Sequence, residues 1–230
     1  MSAESIEKFI RSLKQSPSGA VFNPWWQVDK QNDVGRNASA IRRRHLRAYL
    51  RKRLGKAKLV VIGEALGYRG GHFSGIPMTS ERILLGEKKD DGVDPEHVFS
   101  SIKPRRTSKC EQCPDGFSEP TATIVWSWLL KLGLKPEQFV LWNAFPWHSF
   151  DPRRGMLSNR MPTKKEQAAG LLVLNAFLDL FPSDEIVALG NVAAARLEEL
   201  NVEPHRARHP ASGGAKLFRQ QIAKIVNEVD

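Results

Sequence analysis

The sequence predicts an α/β fold: a three-layer α/β/α sandwich around a central, mainly parallel four-stranded sheet. Two observations carry this. Lys58–Ile62, Phe139–Asn143, Glu185–Leu189 and a shorter segment through Glu203–Arg208 read as strands. The first three are largely apolar without alternation, as in strands covered on both faces. Segments of helical periodicity lie between and after them, and strands alternating with helices imply right-handed crossovers. At 230 residues the chain suffices for one sizeable domain, 1–230, with residues 1–57 as a basic helical extension packed on the core.

The extension opens with an amphipathic helix started by Ser2 or Ser5, with Ile6, Phe9, Ile10 and Leu13 on one side. It has no apolar run for a secretory leader, and the chain has none of the roughly 18 apolar residues that a membrane span needs. The expectation is a cytoplasmic, nucleoid-associated protein with no membrane partner. Net charge is +10, and residues 1–58 hold 14 Lys/Arg against 4 Asp/Glu, which accounts for the whole excess. Its centre is Ile41–Leu54, with seven cations and no acid in fourteen residues. A helix there buries Leu46, Tyr49, Leu50 and Leu54 and leaves Arg42, Arg43, Arg44, Arg47, Arg51, Lys52 and Arg53 solvated. Such a face suits a polyanion, because each neutralised phosphate releases counterions. The plainer reading is a solubilising surface.

Further helices are expected at Ala122–Leu132, closed by Gly133, and at Lys164–Leu180, opened by Thr163 with Glu166 three residues on as a capping box. Asn191–Leu200 follows directly from Gly190, and Gly214–Val229 closes the chain. Glu87–Pro120 has no sustained period, which in a segment of that length points to function or mobility. A second long loop runs from the Phe139–Asn143 strand to Met161-Pro162. Cys110 and Cys113 form a single C-x-x-C where a zinc or iron–sulfur site needs about four ligands. They read as reduced loop thiols, and neither a metal nor any other cofactor is expected.

Ligands of open α/β sheets bind at the carboxyl ends of the strands. Three such ends carry chemistry here. Gly63-Glu64-Ala65-Leu66-Gly67 brings two close-approach glycines and a carboxylate. Asn143 brings an amide with both donor and acceptor. His209-Pro210 follows Arg206 and Arg208. Singly, each has a plain structural explanation; the order and spacing make the set.

Five segments in that order, Gly63–Gly67, His72–Glu81, VLWNAFPW, Ala188–Leu197 and His209–Arg219, resemble the uracil-DNA glycosylase superfamily over about residues 58–220. The resemblance implies a monofunctional DNA-repair hydrolase of base excision that flips uracil out of DNA and breaks its N-glycosidic bond, leaving an abasic site. Asn143 matches the base-reading Asn, and His209 the donor that stabilises charge on the departing base. Ala65 stands where better-known members carry a water-positioning Asp, so Glu64, one residue earlier as in the iron–sulfur branch, takes that role. That branch has four cluster cysteines; this chain has two.

Gly63, Ala65, Gly67, Tyr68 and Asn143 are expected around the base. The stacking platform is Phe73, favoured over the aligned Met78. Gly67 replaces a Tyr that excludes thymine's methyl in some members, which opens hypoxanthine, xanthine or mismatched thymine as alternative substrates. DNA contacts are assigned to Arg42, Arg43, Arg44, Arg69, Ser212, Gly213 and Lys216, with Leu217 or Lys216 standing in for an intercalating Leu. The expected partner is uracil-containing DNA, single- or double-stranded, bound by a monomer. A non-catalytic nucleic-acid-binding protein is the rival reading; a dinucleotide site is disfavoured because no G-x-G-x-x-G opens a helix after the first strand.

Overall fold

A computed structural model describes residues 2–229. Their elements run α1 (Ala3–Ser12), β1 (Val21–Phe22), α2 (Ala38–Arg53), β2 (Leu59–Ala65), α3 (Gly71–Ser74), α4 (Glu81–Leu85), α5 (Pro95–Val98), α6 (Pro120–Lys131), β3 (Phe139–Phe145), β4 (His148–Ser149), α7 (Lys164–Leu180), β5 (Glu185–Leu189), α8 (Asn191–Glu198), β6 (His205–Ala207) and α9 (Ala215–Val229). The central sheet has the order β3-β2-β5-β6, every pair parallel, and helices flank it. β3 is buried along its whole length, and so are the first five residues of β2. That is why these strands read as unbroken apolar runs.

Local chemistry sets the helix ends. The Thr163 hydroxyl accepts from Glu166 N–H while the Glu166 carboxylate accepts from Thr163 N–H, so α7 begins with the expected reciprocal cap. Gly133, at φ +88°, ends the turn after α6 in a conformation that side chains resist. In the N-terminal segment, Phe9 lies edge-on to Trp142 at 5.2 Å and against Phe177 at 5.8 Å. The two-residue ribbon of β1 and β4 is too short for any periodicity in the sequence to show.

The solvated face expected for the second helix is corrected. Arg42 and Arg53 are completely buried. The Arg42 guanidinium forms a fork with Asp33 (2.6 and 2.9 Å) and donates to the carbonyls of Pro24 and Gln27. Arg53 donates to the carbonyls of Phe139, Tyr49, Val98 and His97, tying the end of α2 to the start of β3, and burial pushes its pKa down to about 10. Arg47 pairs with Glu7 of α1, and Arg43 donates to Trp25 O while lying over the Trp26 ring. A buried charge is costly unless its donors are met: Arg42 is met by the Asp33 carboxylate and two carbonyls, Arg53 by four carbonyls alone. Much of the basic run is internal scaffolding. Arg44 stays exposed on the outer face.

The Glu87–Pro120 segment is also better anchored than its composition suggests. The buried Glu81 carboxylate accepts the N–H groups of Thr107 and Ser108, and His45 Nε2 accepts Arg105 N–H. Phe117 stacks on Phe73 at 4.3 Å. The segment is thereby strapped across the core and delivers its last residues to the carboxyl end of the sheet. Cys110 and Cys113 are unpaired in its loop.

Candidate active site

The parallel register places Gly63 opposite Asn143 and Ala65 opposite Phe145, so the ends of β2 and β3 finish together. Gly190 and Ala207 are joined by a backbone hydrogen bond of 2.8 Å, which brings the chain after β6 beside them. Above these ends lies a cavity of about 470 Å³. Its floor and one wall are Gly63–Gly67, Met78, Asn143 and His209. Three of the strand ends singled out from sequence therefore meet in one site.

Asn143 is almost fully buried. With its amide oriented to suit the surrounding backbone, its oxygen accepts from Leu66 N–H and its nitrogen donates to Trp142 O, both at 3.2 Å. One N–H and one lone pair are left for a ligand. Gly63 is what allows that amide its place, because a Cβ there would sit 2.6 Å from it and 3.1 Å from Met78 Sδ.

His209 is half-buried. Burial, and then the neighbouring Arg208, lower its pKa, so the ring is neutral at pH 7. Its Nδ1 accepts Ala211 N–H at 3.2 Å, which leaves the proton on Nε2 as a donor. Gly214 permits this turn, since a Cβ there would lie 2.1 Å from His209 O. Glu64 is half-buried, and burial raises its pKa above the usual carboxylate value.

Other assignments change. Phe73 is wholly buried between His72 and Phe117 and does not face the cavity; Met78 does, from a backbone at φ +47°. A non-glycine residue at positive φ costs of order 1 kcal/mol, and in that conformation Met78 is an apolar side chain lining the cavity. Tyr68 sits outside the lining, its N–H bonded to Asn159 Oδ1 and its hydroxyl accepting from Arg69 Nε. Arg42 is withdrawn as a DNA contact because it is buried against Asp33, and the Arg43 guanidinium is engaged by Trp25 O and Trp26. Arg69 lines the cavity and is exposed; Ser212, Gly213 and Lys216 are exposed on the loop and helix after His209.

The opposite wall comes from two loops with no recognisable motif: Glu119 and Thr121 at the start of α6, and Asn159, Arg160 and Met161 ahead of α7. The second group is held firmly. His148 Nε2 lies 2.7 Å from Ser158 O, and Arg160 is clamped by Glu166, Ala20 O and Phe150 O. Their unusual length was the one signal that these loops build something.

A family model, "Uracil DNA glycosylase superfamily", matches residues 53–226. No curated protein sequence matches the chain. Among solved structures, "The crystal structure of WT Pedobacter heparinus SMUG2" is similar at TM-score 0.63 and 15% identity, covering 98% of this chain and 97% of that one, a likeness of fold. With a family match across most of its length and three strand ends gathered on one cavity, the chain belongs to the uracil DNA glycosylase superfamily of DNA glycosylases.

Proposed function

We propose that the protein hydrolyses the N-glycosidic bond of uracil in DNA as a monofunctional, monomeric glycosylase. The observation that carries this reading is the pairing of Asn143 and His209 in one cavity. A uracil edge presents a carbonyl acceptor beside an N–H donor, the complement of a carboxamide, and the neutral His209 Nε2–H meets the oxygen on which charge grows as the base leaves. The nucleotide must leave the stack to reach this depth. Water then forms its bond to C1′ as the C1′–N1 bond breaks; the bond's electron pair departs with the base, and Glu64 takes the water's proton. Glu64, as carboxylate, also supports the cationic character that develops on the sugar. Arg69 and Lys216 supply phosphate contacts from the rim.

A panel of oligonucleotides carrying uracil, hypoxanthine, xanthine or mismatched thymine, assayed for free base, tests this. Uracil is expected to be released fastest. A protein that releases none of these bases contradicts the proposal. Release of hypoxanthine or xanthine ahead of uracil favours a second reading, which rests on Gly67: no side chain closes the cavity there, and the nearest neighbour to a Cβ would be the Asn159 amide at 3.6 Å.

Gly63 makes a sharper local test. In Gly63→Ala the new methyl collides with the Asn143 amide and crowds Met78 Sδ, so the amide must leave its present place at the cavity floor. Base release is expected to fall at least tenfold while thermal unfolding shows a folded protein. Unchanged kinetics in a folded variant shows that the Asn143 position does not matter.

A further inference from the structure

A second carboxyl group lies in the same cavity. Glu119 precedes α6 directly, and its backbone carbonyl accepts from Thr123 N–H at 3.2 Å. Its side chain does not cap the helix; it lines the cavity instead. Oε2 is fully buried and has no hydrogen-bond partner among the described residues. It is pressed against Gly70, where a Cβ would come within 1.7 Å of it, so the chain keeps a bare backbone at that point. The charged or titratable groups sharing the cavity are Glu64, Arg69, Arg160 and His209, and none of them bonds Glu119. A buried polar atom left without a partner is costly, and the carboxyl's other oxygen, Oε1, is neither buried nor bonded within the protein, so it is the one a ligand in the cavity can reach.

We propose that Glu119 is a base-contacting residue, its neutral carboxyl group donating to a carbonyl oxygen of the extruded base and helping to set which bases are excised. This rests on the glycosylase reading above. A carboxylic acid offers an O–H donor beside a C=O acceptor, the pattern that oxidised or deaminated bases display in reverse. Ionised, the same group offers only acceptors and opposes the negative charge growing on the leaving base. Burial pushes the Glu119 carboxyl up to about 7, so the donor form is populated at neutral pH and is lost as pH rises through that value.

Single-turnover release from the best substrate of the panel, measured from pH 5.5 to 9 for wild type, Glu119→Gln and Glu119→Ala, tests this. Wild type is expected to lose activity on the alkaline side with a midpoint near pH 7. Glu119→Ala is expected to fall roughly tenfold to a hundredfold below wild type at pH 6. Glu119→Gln keeps a donor beside an acceptor without a titrating proton, so it should lie above Glu119→Ala and show no alkaline limb. A purely structural role moves none of these limbs. Wild type and Glu119→Gln profiles of the same shape, or full activity in a folded Glu119→Ala, overturn the role of Glu119 and leave the glycosylase reading intact. Failure of wild type to release any base overturns that reading and the inference with it.

Discussion

Replacing Asn143 with alanine is expected to slow release of uracil by roughly 10²–10³-fold, a loss of about 3–4 kcal/mol of transition-state stabilisation. Such a figure is reached because the amide is preorganised. It sits near the carboxyl end of a fully buried strand, Leu66 N–H and Trp142 O fix its plane, and Gly63 leaves it the place it occupies. The substitution leaves the fold nearly intact, since Leu66 N–H also bonds Phe145 O at 3.2 Å. Single-turnover kinetics beside thermal unfolding checks both halves: a large loss of rate with little change in melting. A rate within threefold of wild type removes Asn143 from the chemistry.

Arg42→Ala has the opposite profile, a large loss of stability. It strips the partner from the buried Asp33 carboxylate and orphans the carbonyls of Pro24 and Gln27. Breaking a buried pair from one side costs about 3–5 kcal/mol, a large share of a typical domain's stability. Arg44→Ala, two residues away in sequence but exposed, is expected to change stability by less than about 0.5 kcal/mol. Urea unfolding of the two variants decides whether the basic run is scaffold or surface. Equal effects contradict the burial described for Arg42.

These two cases mark what the sequence makes legible. β2, β3 and β5 declare themselves because burial on both faces leaves only apolar residues to place, and α7 because Thr163 and Glu166 cap it by local chemistry. Asn143 and His209 are found because each terminates or follows a strand in a recognisable motif. Arg42 and Arg53 mislead because composition cannot distinguish an arginine facing water from one whose guanidinium is met by buried carbonyls or a buried carboxylate. Phe73 misleads for a similar reason: a ring suits stacking on a base, but the short helix α3 turns it toward Phe117 while Met78, at positive φ, takes the cavity. Glu119, Asn159 and Met161 carry no local signature at all. They reach the site because long loops are pinned to the core at distant residues such as Glu81, His148 and Glu166.

The central claim is that this strand-end cavity cuts the bond between C1′ and uracil with water and leaves the backbone whole. Intact-mass spectrometry of a uracil-containing oligonucleotide, incubated with the protein in ¹⁸O-labelled water and analysed at once without alkali, tests it most directly. An unbroken strand in which uracil has been replaced by one labelled hydroxyl is expected, with unlabelled free uracil alongside. An unchanged oligonucleotide, or a strand already broken before alkali, contradicts it.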